Sequence, residues 1–278
     1  AGCFELPLLF LLQESLTSVM IPRMSQLQAE GNHRGMVELT VRAMEKLSLA
    51  YFPVYIFFLI TAHTFITTLF TQKFAESVPI FLINISLLPF AVFIADPITR
   101  AFKSLGNYVL KMRIFIVIGL LATLYYGIQH FDLSGMVAIV VVTAVVDRVF
   151  TTVKIYKTVG VKMSDIYLLK NVGKTAVVAI AAGIPTYFAY QQIKEITPNL
   201  GQQIISFIFS TPKETFVEML SGVFTLGFTG IFFGAIYLSG IYFWGVVTED
   251  EKEFVHSKIA GIGKLLGIIP KGGTEDLV

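Results

Sequence analysis

One cysteine, Cys3, is the whole thiol inventory of this chain, so no intrachain disulfide can form and the redox compartment leaves no mark on the sequence. The four histidines, His33, His63, His130 and His256, are scattered, and none joins Asp, Glu or Cys at metal-ligand spacing. No metal and no cofactor is expected. A phosphate-cradling glycine loop is missing too, which argues against ATP hydrolysis by this chain. Charged residues make up only 14% and the net charge is +2, spread among loops rather than gathered in a patch. That balance gives no reason to expect nucleic acid as a partner.

What is present is apolar. Hydrophobic residues reach 55% and mean hydropathy is +0.73, well beyond a soluble domain. A membrane span needs roughly 20 residues at 1.5 Å rise, and about seven runs meet that length: 6–27, 47–71, 78–99, 109–129, 133–154, 173–190 and 219–247. The fold class expected is all-α, a polytopic transmembrane helical bundle. The first run is the weakest span, because Gln13, Glu14 and Ser15 sit in its middle. Between the first two runs, Pro22 and Arg23 turn the chain out of the bilayer and Asn32 can cap a helix. Arg34, Glu38 and Arg42 at i,i+4 spacing make the return to Leu47 a charged interfacial helix.

Eighteen lysines and arginines fall in one set of junctions and three, Lys73, Lys194 and Lys213, in the other. The positive-inside rule then puts the C-terminus in the cytoplasm and the N-terminus outside, in a multi-pass protein of the inner (cytoplasmic) membrane. The 193–218 stretch, with the polar run 197–201, reads as a turn and a short helix on the outer leaflet. The tail opens on a capping box, Thr248 to Glu251, and places Val255, Ile259, Ile262 and Leu266 on one face, for the inner leaflet. Helix-bending residues recur at depth: Pro53, Pro89, Pro97 and Pro185, with Gly119 and Gly183. In the last run Gly230 and Gly234 make a small-xxx-small pair that predicts close packing.

A resemblance rests on particular residues. An apolar helix ending in the Pro-Arg-Met-Ser turn of Pro22 to Ser25, a Gly-centred loop, and Leu-Ser-Leu-Ala-Tyr-Phe-Pro ending at Pro53 are followed by a second apolar helix that ends Leu-Phe-Thr at Thr71. Together they resemble the multidrug/oligosaccharidyl-lipid/polysaccharide exporter superfamily, nearest its polysaccharide and lipid-linked oligosaccharide flippases. The likeness continues through Ile98-Thr-Arg-Ala-Phe-Lys-Ser-Leu-Gly106 and at Leu133-Ser-Gly-Met136. It implies helices eight to fourteen of a fourteen-helix transporter: the C-terminal lobe plus a final helix pair. Residues 1–156 would hold five C-terminal-lobe spans, 157–247 a cytoplasmic linker helix and the final two-span hairpin, and 248–278 the amphipathic tail. The partners implied are a lipid-linked saccharide substrate, membrane lipids and a missing N-terminal lobe of the same protein.

Charged residues inside or beside the spans are the site candidates. Arg23, Arg100 and Arg148 at inner helix ends have guanidinium forks that match diphosphate oxygens; each also reads as a topological anchor. Glu14, Asp96 and Asp147 can line a cavity or take a coupling proton or cation. Asp96 and Arg100, at i,i+4, can pair on one face. His63, among threonines, reads as a hydrogen-bonded packing residue. Three functions stay open: a flippase for an isoprenoid-diphosphate-linked saccharide, a cation-coupled multidrug exporter, and a membrane-embedded glycosyltransferase or polymerase. The third would want clustered carboxylates, His or Arg at one interface. The outer loops offer only Lys73, Glu76, His130 and Asp132, so an enzyme is not expected.

Overall fold

The computed structural model describes residues 7–161, 167–208 and 214–246. Among them the chain is helical, with no strands: α1 (Pro7–Ala29), α2 (His33–Phe70), a 3-10 turn (Gln72–Ser77), α3 (Val78–Ile85), α4 (Leu88–Ala91), α5 (Asp96–Ala101), α6 (Lys103–Gly127), α7 (Leu133–Val159), α8 (Lys170–Ile208) and α9 (Glu214–Phe243). The amphipathic tail expected at 248–278 lies outside the described residues.

Six helical stretches are long and apolar enough to cross a membrane: His33–Phe70, Gln72–Ala91, Lys103–Gly127, Leu133–Val159, Tyr167–Gln203 and Phe216–Phe243. They correspond to six of the seven runs read from sequence. α1 is not among them, because Gln13, Glu14 and Arg23 interrupt its hydropathy. Surface chemistry agrees with a lipid environment. Phe115 is 74% exposed and Ile231 73% exposed, on faces that water would not tolerate at this size.

α2 organises the bundle. The interfacial helix and second span expected from sequence are one continuous helix of 38 residues, about 57 Å at 1.5 Å per residue and so longer than a bilayer core of about 30 Å. Its start is fixed as expected, with Asn32 Oδ1 accepting from the Gly35 amide at 2.9 Å. Asn32→Ala should therefore lower stability by about 1 kcal/mol, read as the unfolding midpoint in detergent. Along its length α2 touches α1, α3, α4, α7, α8 and α9. Its first half buries Met36, Met44 and Leu47 fully, against Met24 of α1 and Ile155 of α7. Its second half packs Phe52, Ile56 and Phe57 on Val178, Ala182 and Phe233 of the α8–α9 pair, and Tyr237 donates to the Leu49 carbonyl at 2.9 Å.

The third apolar run is not one helix. It breaks into α3, α4 and α5, with Pro89 and Pro97 at the starts of the last two. Proline has no amide hydrogen, so the carbonyls of Ile85 and Phe93 lose their usual partners, and proline is tolerated where a helix begins. The break lies where α5 meets α1 and α3 meets α7.

Two further expectations are corrected. The 197–201 turn does not form: α8 runs through Pro198 to Ile208, because Thr197 ties back to the Ile193 carbonyl at 3.0 Å and across to Thr225 of α9 at 2.7 Å. Nor are Gly230 and Gly234 the closest helix-to-helix approach of α9, although a side chain at Gly230 would make ordinary 3.8 Å contact with Phe57 of α2. A side chain at Gly234 would meet nothing within 4 Å, whereas at Gly222 it would overlap Thr68 and at Gly240 it would lie 2.7 Å from Val178.

Candidate functional site

α6 and α7 form an antiparallel hairpin whose turn is capped by Asp132, accepting from the Gly135 amide at 2.9 Å; α7 ends at Gly160 with φ +82°, a left-handed conformation that suits glycine. The capped turn and the pairing of the two helices set the register. Arg113 stands about 15 Å along α6 from Lys103, and its Nε lies 3.4 Å from Asp147 Oδ2 of α7. Asp147 is 24% exposed and Arg113 51%, so one end of the pair is sunk between helices. The second carboxylate oxygen, Asp147 Oδ1, is buried with no hydrogen-bond partner, as is the Thr151 hydroxyl one turn further on. A buried polar oxygen left so lacks the partner that would offset its desolvation.

Arg148 is adjacent to Asp147 and therefore points about 100° round the helix. It is half-buried and lies within electrostatic reach of Asp96, Tyr51 and Asp147. Asp96 opens α5 immediately after the break in the third run. Tyr51, 2% exposed on α2, shares its hydroxyl hydrogen between the Leu9 carbonyl at 2.9 Å and Gln13 Oε1 at 3.2 Å on α1. The fold thus brings groups from α2, α5, α6 and α7 within electrostatic reach of one guanidinium, with α1 tied in through Tyr51. Two arginines face two carboxylates, so the cluster is near neutral when all four are ionised. A further tie between α6 and α7 is Lys154 Nζ over the Tyr108 ring, 4.8 Å from its centroid.

Of the six residues singled out from sequence, Asp96, Asp147 and Arg148 come together here. Arg23 does not. It is exposed on α1 and donates to Gln26 Oε1 at 2.6 Å. Arg100 is exposed, and the expected pairing with Asp96 does not form within ion-pair distance; the cation in reach of Asp96 is Arg148 of another helix. Glu14 is at the surface of α1 rather than buried at depth. His63 is exposed rather than packed, and lines a separate groove. Sequence reading missed Arg113 and Tyr51. For Arg113 the available signal was a third basic residue inside the α6 run; its partner lies 34 positions away, beyond any local spacing rule.

Among the described residues no group of three or more His, Cys, Asp or Glu is placed to hold a metal ion. No curated protein and no solved structure matches the chain. Residues 4–79, which run from the start of α1 through α2 to the start of α3, match the family model described as polysaccharide biosynthesis protein, and so support a polysaccharide-related membrane protein at the level of the broad family.

Proposed function

We propose that the chain is the C-terminal part of a flippase that moves an isoprenoid-diphosphate-linked saccharide across the cytoplasmic membrane by alternating access. The observation that carries the reading is Arg148, half-buried on α7 and within electrostatic reach of Asp96, Asp147 and Tyr51. A guanidinium fork placed this way suits diphosphate oxygens. A diphosphate at Arg148 would compete with the neighbouring carboxylates of Asp96 and Asp147, which can take the guanidinium back when the anion leaves. The break in the third run, beside Asp96, is where the bundle can change shape. A second lobe, outside residues 1–278, would face α1, whose surface carries Glu14, Ser15, Ser18 and Arg23. The match of residues 4–79 to polysaccharide biosynthesis proteins supports the substrate class.

The test is deletion of the full-length gene. Lipid-linked glycan should accumulate in the cytoplasmic leaflet and return to normal on complementation. Unchanged glycan export, with loss of ion-driven dye efflux instead, would replace the flippase with a drug exporter.

Orientation is tested separately. In a Cys3→Ser background, Gln129→Cys at the α6–α7 turn should react with an impermeant thiol reagent from outside, and Lys157→Cys should react only after permeabilisation. Labelling of both from outside would sink the arrangement.

A further inference from the structure

At the end of α2 away from the charged cluster, α2, α8 and α9 enclose a second polar space. A groove of about 460 Å³ lies between the last turns of α2, residues 194–202 of α8 and the first turns of α9. That volume is within the roughly 300–1,000 Å³ of small-molecule sites, and its wall mixes apolar surface, the larger share, with hydroxyls, amides and two charged groups. Thr64, Thr67, Thr68, Thr197, Ser221 and Thr225 line it.

The hydroxyls give the groove a definite character. Thr67 donates to the His63 carbonyl at 2.9 Å, so its oxygen lone pairs are left as acceptors, while the buried Thr197 and Thr225 hydroxyls are taken up by each other and by their own helices. Gln72 and Gln202 add amides that both donate and accept, Lys194 adds donors and Glu218 adds acceptors. Among the described residues Lys194 and Glu218 form no ion pair, with each other or elsewhere. Behind the wall, α8 and α9 pack closely: the Ser221 hydroxyl is buried against Gly201, where a side chain would overlap it.

We propose that this groove binds a short neutral saccharide. Sugar hydroxyls donate and accept at once, as Thr67, the two amides, Glu218 and Lys194 require, while the C–H faces of a sugar ring suit the apolar part of the wall. An inorganic anion would meet one cation offset by one carboxylate, among acceptor oxygens. A metal cation would find a single carboxylate. The site is distinct from Arg148, and binding is read without transport, so failure here leaves the flippase reading untouched.

The experiment uses the purified chain in phosphatidylcholine nanodiscs, prepared without sugar-headed detergent, and saturation-transfer NMR. Cellobiose and diacetylchitobiose are the probes, with glycerophosphoethanolamine and inorganic phosphate as comparators. Transfer to the ring protons of at least one disaccharide is expected. Gln72→Ala and Gln202→Ala should each weaken it about three- to tenfold. Both side chains are exposed, so the variants should fold as well as the parent. No transfer to either sugar, equal transfer in both variants, or transfer to the comparators alone would overturn the assignment, the last in favour of a head-group or anion site.

Discussion

Arg148→Ala should reduce glycan export by the full-length protein about ten- to a hundredfold, measured as complementation of a deletion strain with the protein level held equal. The size follows from losing charge-assisted hydrogen bonds to a diphosphate, about 1.5–3 kcal/mol. Arg148→Lys keeps the charge but loses the planar fork, and should fall between the alanine variant and the parent. Arg23→Lys and Arg100→Lys should retain nearly full export, since both residues are exposed and Arg100 has no tie to Asp96. Full export by Arg148→Ala would remove this arginine from the mechanism. A deficit in Arg23→Lys equal to that in Arg148→Lys would move the anion site to α1.

Gly222→Val should be the most destabilising of the single substitutions considered. A Cβ at this position would overlap the side chain of Thr68, and Thr68 is a β-branched residue of α2 with little rotamer freedom to retreat. Relief then requires α9 to move off α2, at a cost of about 1–3 kcal/mol or more. Gly234→Ala, with nothing within 4 Å, should be neutral or stabilise by about 0.5–1 kcal/mol through helix propensity. The two are compared by thermal unfolding in one detergent. A lower midpoint for Gly234→Ala than for Gly222→Val would show that the α2–α9 packing described here is wrong.

The glycine contrast shows where sequence reading stops. Gly230 and Gly234 form a familiar spacing, but whether a small residue is needed depends on what stands opposite, and that is set by the register of α9 on α2. Hydropathy located six membrane-crossing stretches because lipid acts on every residue of a span alike. The Asn32 cap was equally legible, since it acts on an amide three positions away; Asp132 makes the same cap on α7 and was not read as one. The charged cluster was half legible. Charge inside or beside the spans singled out Arg23, Arg100 and Glu14, which lie exposed, together with Asp96, Asp147 and Arg148, and local spacing paired Asp96 with Arg100 when the fold brings it within reach of Arg148. The residues 197–201 misled in the opposite direction: Pro, Asn and Gly together look like a turn, and contacts to α9 hold them helical.

α2 has a mechanical consequence. Tyr51 meets the charged cluster near one end of its apolar half, while Thr68 meets the sugar groove near the other. Pro53, buried in the helix just beyond Tyr51, is where the rod is weakest, because one internal hydrogen bond is missing. From there to Thr68 the lever arm is about 22 Å. A flexure of about 10° at Pro53 would sweep the far end through about 4 Å, more than the length of a hydrogen bond. One rigid element would then work as a crank between the two ends of the bundle, so that rearranging the salt links at one end opens or shuts the groove at the other.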